Sequence, residues 1–158
     1  MSRLPRGVRP DRAARRELPA LVLDGERVLG VHARQTVRAE FTFDARAALA
    51  VGVELSVEGG PHARWRVGRD LLWRGTRSRS GLGDVQIWPS RQEDQHQSTV
   101  WLQLASGDMA ALFALPAPPL AEWLAHTYQL VPAGHELSDV DWDATTAGLL
   151  SGPRAPSD

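Results

Sequence analysis

The sequence predicts an α+β domain built on an antiparallel β-sheet, with a short central helix and further helices gathered at its C-terminal end. Three observations lead there. Apolar residues recur at every second position through most of residues 29–115, and the turn signals Glu58-Gly-Gly-Pro61 and Ser106-Gly-Asp108 separate these stretches. The period becomes helical only after Pro118 and Pro119. Helices that do not alternate with strands argue against a parallel α/β sheet. At 158 residues the chain can bury one core but not two.

Taken in order, the chain starts with a basic tail. Residues 1–16 hold Arg3, Arg6, Arg9, Arg12, Arg15 and Arg16 against Asp11 alone, while residues 17–158 hold 12 Arg and 18 acidic residues. Pro5, Pro10 and Pro19 interrupt any long helix, and Leu4 and Val8 are too few to offset the entropy of ordering. Residues 1–20 are expected to be an Arg-rich disordered extension; the sharper alternative is a tail that binds phosphate or an acidic partner through counterion release. Residues 21–150 form the folded domain and 151–158 a disordered tail.

From Leu29 to Phe43 the odd positions are apolar apart from Gln35, which predicts one long or bent strand, or two consecutive ones, with a single buried face. Val51, Val53, Leu55 and Val57 repeat the pattern and Ala63, Trp65 and Val67 return it across Glu58-Gly-Gly-Pro61, making a hairpin. Gly68 to Arg74 reads as a two-turn helix, with Gly75 just past its end as a left-handed cap. After a Gly81-Leu-Gly83 loop, whose glycines permit an unusual backbone path, come strands over 84–88, 99–105 and 109–115. Leu120, Trp123, Leu124, Thr127 and Tyr128 then share one side of a helix that Pro132 ends. A last short helix, capped by Asp141 or Asp143, places Trp142, Thr146, Leu149 and Leu150 on the body.

Composition excludes several kinds of chemistry. Without Cys there is no disulfide, thiol catalysis or Cys-bound zinc. All eighteen basic residues are Arg, with no Lys or Asn, the bias of a GC-rich genome. No apolar run nears the roughly 20 residues of a membrane helix, and no signal core is present, so a cytoplasmic protein is expected. The five histidines never fall two to a helix face, and HExxH and GxSxG are absent. Asp139, Asp141 and Asp143 imitate the start of a calcium loop, but Ala144 and Leu150 stand where Gly and Glu are required; helix capping accounts for them. Ser80-Gly-Leu-Gly83 lacks the Lys-Ser/Thr ending of a phosphate loop, and a strand follows it. No cofactor and no small-molecule substrate are expected.

Tryptophan is the better clue to a surface. If Val85 and Ile87 face the core, Trp88 points the other way, and alternation does the same to Trp101 against Val100 and Leu102. Paired across two antiparallel strands, they make an aromatic patch on the outer face; with both faces covered they are core. Trp73, on the short helix, is either a local packing residue or part of a contact surface. Trp65 and Trp123 fit apolar stripes and are expected in the core.

One stretch carries a resemblance. Arg69-Asp70-Leu71-Leu72, Gly75, Gly81-Leu-Gly83-Asp84-Val and Trp88-Pro89-Ser90-Arg91 occur in fixed order, followed by Val100-Trp-Leu-Gln-Leu-Ala105, Leu120-Ala-Glu-Trp-Leu124 and Val131-Pro-Ala-Gly134. Their order and spacing resemble those of the SsgA-like proteins, an actinobacterial family tied to sporulation-specific cell division. The resemblance runs from about Arg27 to Leu150. It implies a Whirly-like α+β fold, a homo-oligomer, specifically a trimer, and no enzymatic activity. It further implies an adaptor that helps localise or assemble the FtsZ septal machinery at division septum sites, with FtsZ or other SsgA-like proteins as partners. Trp73, Trp88, Arg91 and Trp101 are then the candidate contact residues; Arg69, Asp70, Leu71, Leu72, Gly75, Gly81, Gly83, Asp84, Pro89 and Ser90 are family-motif residues with structural roles.

The alternative is a single-stranded nucleic-acid-binding protein on the Whirly-like fold. Arg64, Arg66, Arg69, Arg74, Arg77 and Arg79 interleave with Trp65 and Trp73, a pattern compatible with stacking platforms. The net acidic body opposes it.

Overall fold

The computed structural model describes residues 18–90 and 98–137. The extension, the connection 91–97 with Arg91, and the helix expected after Asp141 lie outside the described residues.

Eight antiparallel strands form one sheet: β1 (Leu21–Val28), β2 (Arg34–Thr42), β3 (Ala50–Ser56), β4 (His62–Gly68), β5 (Ser80–Leu82), β6 (Val85–Pro89), β7 (Thr99–Ser106) and β8 (Met109–Pro116). Helix α1 (Arg69–Gly75) joins β4 to β5, and α2 (Ala117–Leu130) follows β8. The sheet order is β4-β3-β2-β1-β8-β7-β6-β5. It contains two meanders, β1 to β4 and β5 to β8, joined side by side where β1 pairs with β8 through Glu26↔Ala114 and Val28↔Leu112. Side chains of β3 and β4 line one groove with side chains of β7 and β8, although three strands separate β3 from β7 in the sheet. The sheet is therefore curled.

Strand alternation decides what the curl encloses. Val37, Ala39 and Phe41 of β2, Val51, Val53 and Leu55 of β3, Ile87 of β6, Val100, Leu102 and Leu104 of β7, and Phe113 and Leu115 of β8 are buried on the inner face. Leu72 of α1 and Leu120, Trp123 and Leu124 of α2 complete the core. Pro118 and Pro119 open α2 in its first turn, where a missing N–H costs nothing. Trp123 packs on Phe41 with ring centres 6.1 Å apart and donates its indole N–H to the Pro19 carbonyl at 3.0 Å, which fastens the chain ahead of β1. Trp65 is half-buried and packs against the core's margin.

Three expectations need correction. The alternation over 29–43 spans a turn: Leu29 and Val31, 54% and 89% exposed, lie between β1 and β2. Gly75 ends α1 without a positive φ; a Cβ there would stand 2.1 Å from Ile87 Cγ2, so the residue is glycine because α1 presses on β6. The Gly81 loop is mostly strand. Ser80–Leu82 pairs with β6, and the tight turn is Gly83-Asp84, where Gly83 at φ +61° takes the position that demands glycine.

Candidate functional site

The motif around Arg69 opens α1, and its charges turn inward. Arg69 is 1% exposed. Its guanidinium donates to the Thr127 carbonyl at 2.9 Å and to Glu136 Oε2 at 2.9 Å, and it lies 3.9 Å from the centre of the Tyr128 ring. Glu136 also accepts from the Gly134 N–H at 2.9 Å. Burial pushes the Glu136 carboxyl up, but its own backbone N–H, the Arg69 guanidinium and the Gly134 N–H together hold it below the usual glutamate range. Asp70 accepts a short hydrogen bond from the Tyr128 hydroxyl. Burial, then that bond, raises the Tyr128 phenol above its ordinary value. Leu72 is buried in the core and Leu71 packs at its edge. Arg69 and Asp70 thus bind the end of α2 and the segment beyond it to α1.

The remaining motif residues shape the β5–β6 hairpin. Gly81 lies under the Gln86 side chain, Gly83 makes the turn, and the Asp84 carbonyl accepts from Ala105 N–H at 2.9 Å. Pro89 stands opposite Val100, and Ser90 N–H donates to Thr99 O at 2.7 Å, closing the far end of the β6–β7 pair.

On the outer face, Trp88 and Trp101 are direct cross-strand partners, both half-buried. The Arg79 guanidinium lies 4.4 Å from the Trp88 ring centre. Arg34, which pairs with Glu26 at 3.2 Å, reaches from β2 to within 5.8 Å of Trp101. Trp73 stands on α1, edge-on to Tyr128 with ring centres 5.6 Å apart, and Arg77 covers it at 4.1 Å. Alternation made the Trp88–Trp101 pairing visible in the sequence, and Arg77 and Arg79 were seen to interleave with Trp73, but that Arg79 lies over Trp88 and Arg34 reaches Trp101 was missed. The signal was present in Arg77 and Arg79, which flank Ser78 between two tryptophan-bearing elements.

Among the described residues, no cluster of His, Asp and Glu is arranged to hold a metal ion. The apolar groove inside the curl, at the turn ends of β3–β4 and β7–β8, is lined by Leu55, Val57, Trp65, Met109 and Phe113 among others. Among the described residues that line it, Arg27 and His62 are the ionisable ones. No described helix is long and apolar enough to cross a membrane.

Fold and motif geometry together define an α+β domain, one curled antiparallel sheet carrying a buried Arg at the head of its central helix. The chain belongs to the SsgA family: the family model described as Streptomyces sporulation and cell division protein, SsgA, matches residues 37–136. The sporulation-specific cell division protein SsgB of Thermobifida fusca (strain YX) is 42% identical over 106 residues, 67% of this chain and 71% of that protein. SsgB of Streptomyces coelicolor is 33% identical over 131 residues, 83% of this chain and 90% of that protein. The crystal structure of an SsgA-like sporulation-specific cell division protein from Thermobifida fusca YX-ER1 superposes with a TM-score of 0.72 at 29% identity, covering 83% of this chain and 94% of that one. An SsgB structure from a study of longitudinal cell division during sporulation of Streptomyces coelicolor gives 0.70 at 29% identity, covering 78% and 96%. A role in sporulation-associated cell division follows from these relatives.

Proposed function

We propose that this protein is a non-enzymatic adaptor of sporulation-specific cell division, which helps localise or assemble the FtsZ septal machinery at division septum sites through protein–protein contacts. The observation that carries the reading is the Trp88–Trp101 pair. Two large aromatics share the outer face of the sheet, partly open, each with a guanidinium beside its ring. Aromatic and arginine side chains are the groups enriched where binding energy concentrates. Arg69 and Asp70 of the family motif, by contrast, are engaged in holding α1 to α2 and the segment beyond it. A homo-oligomer, with three copies as the expected number, presents the patch repeatedly and gains avidity for a polymerising partner without a strong single contact.

The test is co-sedimentation of the purified protein with polymerised FtsZ and capture of other SsgA-like proteins, alongside light scattering. Trp88→Ala and Trp101→Ala are each expected to weaken capture at least about tenfold, the loss of one aromatic hot-spot contact. Unchanged capture by both variants, or a salt-dependent shift of labelled single-stranded DNA with no capture of either protein, would overturn the adaptor reading.

A further inference from the structure

The segment that links α1 to β5 carries a cationic patch of unusual construction. Arg74, Arg77 and Arg79 are all exposed. Arg77 and Arg79 lie over Trp73 and Trp88 respectively, rings that belong to different elements on either side of the segment. The backbone beneath them is fixed, because Arg77 N–H and Ser78 N–H both donate to the Arg74 carbonyl, at 2.9 and 2.8 Å. Arg74 itself donates to the Asp70 carbonyl at 3.4 Å. Of the other exposed arginines, Arg34, Arg46 and Arg64 stand in ion pairs with Glu26, Asp44 and Glu54, while, among the described residues, Arg38 and Arg66 lie on β2 and β4 with no indole beneath them. Among the described residues, no carboxylate pairs with Arg74, Arg77 or Arg79. The acids nearest in sequence are Asp70, bound by the Tyr128 hydroxyl, and Asp84, which stands at the β5–β6 turn and forms no ion pair with any of the three.

A solvated arginine keeps its freedom and contributes little when it meets an anion. An arginine held against an indole has already lost most of that freedom, so an incoming carboxylate meets a fork in place. Beside Arg74, a shallow groove between α1 and α2 runs along Trp73, Tyr128, Pro132 and Ala133, surfaces that accept an apolar side chain; Asp70 also lines it, its carboxylate bound by the Tyr128 hydroxyl. We propose that this patch docks an acidic segment of a protein partner, carboxylates on Arg77 and Arg79 and an apolar residue in the α1–α2 groove. The inference rests on the reading of the tryptophan surface as a contact surface and names the chemistry of its partner. A nucleic acid fits less well: Arg77 and Arg79 already cover a face of each indole that a base needs for stacking, and residues 17–158 carry 18 acidic residues against 12 Arg.

The experiment measures fluorescence anisotropy with the full chain and three labelled probes: a twelve-residue peptide of alternating Glu and Leu, the same peptide with Gln for Glu, and a twelve-nucleotide oligo-dT. The acidic peptide is expected to bind, to weaken as salt rises, and to lose about fivefold in affinity with either Arg77→Gln or Arg79→Gln. Arg46→Gln, in an exposed arginine paired elsewhere, is expected to leave binding unchanged, with circular dichroism verifying that each variant is folded. Equal binding of the Gln peptide, tighter binding of oligo-dT, or indifference to both arginine substitutions would each overturn the proposal. Binding of the acidic peptide only after deletion of residues 138–158 would also overturn it, by giving the patch to the chain's own Asp139, Asp141 and Asp143. Because no probe is FtsZ, failure here leaves capture of FtsZ through Trp88 and Trp101 standing, and failure of that capture leaves this result readable.

Discussion

Replacing Arg69 with Gln keeps a polar side chain at the head of α1 and removes its charge. The change leaves the Glu136 carboxylate, whose side chain is 9% exposed, without its cation, and takes a donor from the Thr127 carbonyl. Removing one partner of a buried ion pair costs about 3–5 kcal/mol. Glu136 keeps the Gly134 N–H, so about 3 kcal/mol is expected. Domains of this size are stable by about 5–15 kcal/mol, so the variant should fold, with a midpoint lowered by about 10 °C. Urea titration followed by tryptophan fluorescence measures the difference. The same pair sets an acid limb. Glu136 has its folded pKa below its unfolded value, so its contribution is present above about pH 4.5 and is lost as pH falls through the folded pKa. Glu136→Gln should therefore flatten the acid side of the stability profile. Combining Arg69→Met with Glu136→Leu should recover part of the loss, because an apolar pair needs no desolvation of charge. A loss below about 1 kcal/mol for Arg69→Gln, or an acid limb that survives Glu136→Gln, would refute the argument.

Two further substitutions test the packing. Gly75→Ala places a methyl 2.1 Å from Ile87 Cγ2 and 2.5 Å from its Cβ, atoms fixed to the β6 backbone, and should cost about 1–3 kcal/mol. Gly81→Ala meets only the end of the flexible Gln86 side chain, which can turn away, so urea midpoints should separate the two clearly. Tyr128→Phe removes the bond to Asp70 and should cost about 1 kcal/mol at pH 8. Since the Tyr128 pKa is raised on folding, that contribution is present below about pH 10 and fades as pH rises toward the folded value, so the variant's stability should fall less steeply than the native protein's in alkali.

The meanders were legible where turn residues and alternation agreed. Ala50–Ser56 with His62–Gly68, and Thr99–Ser106 with Met109–Pro116, pair as a period of two and a Gly-containing turn require. β1 was not legible, and Gly25 is the reason. It holds an inner-face position where the pattern calls for a large apolar residue, but a Cβ there would lie 2.6 Å from the Ala114 carbonyl oxygen and 2.6 Å from Leu115 Cδ2. The join between the two meanders needs that space, so the strand has a blank in its hydropathy. Leu29 and Val31 misled in the opposite way, continuing the alternation through a turn that only the β1–β2 pairing reveals. The Arg69–Glu136 pair was hidden by distance: two charged residues 67 positions apart each read as surface until the fold brings them together.

The arrangement separates two kinds of dependence that a motif alone merges. Arg69, Asp70 and Gly75 are the residues that look most chemical in the sequence, yet each is committed to α1's contacts with α2 or β6, so their substitution should remove partner binding only in proportion to lost folded protein. Trp88, Trp101, Arg77 and Arg79 sit partly or wholly in solvent, and among the described residues no carboxylate pairs with Arg77 or Arg79. Their substitution should cost little stability and act on contacts alone. Division phenotypes from the first group should therefore be rescued by raised expression or lower temperature, whereas those from the second should not. That difference follows from where the side chains lie and needs no assumption about the partner.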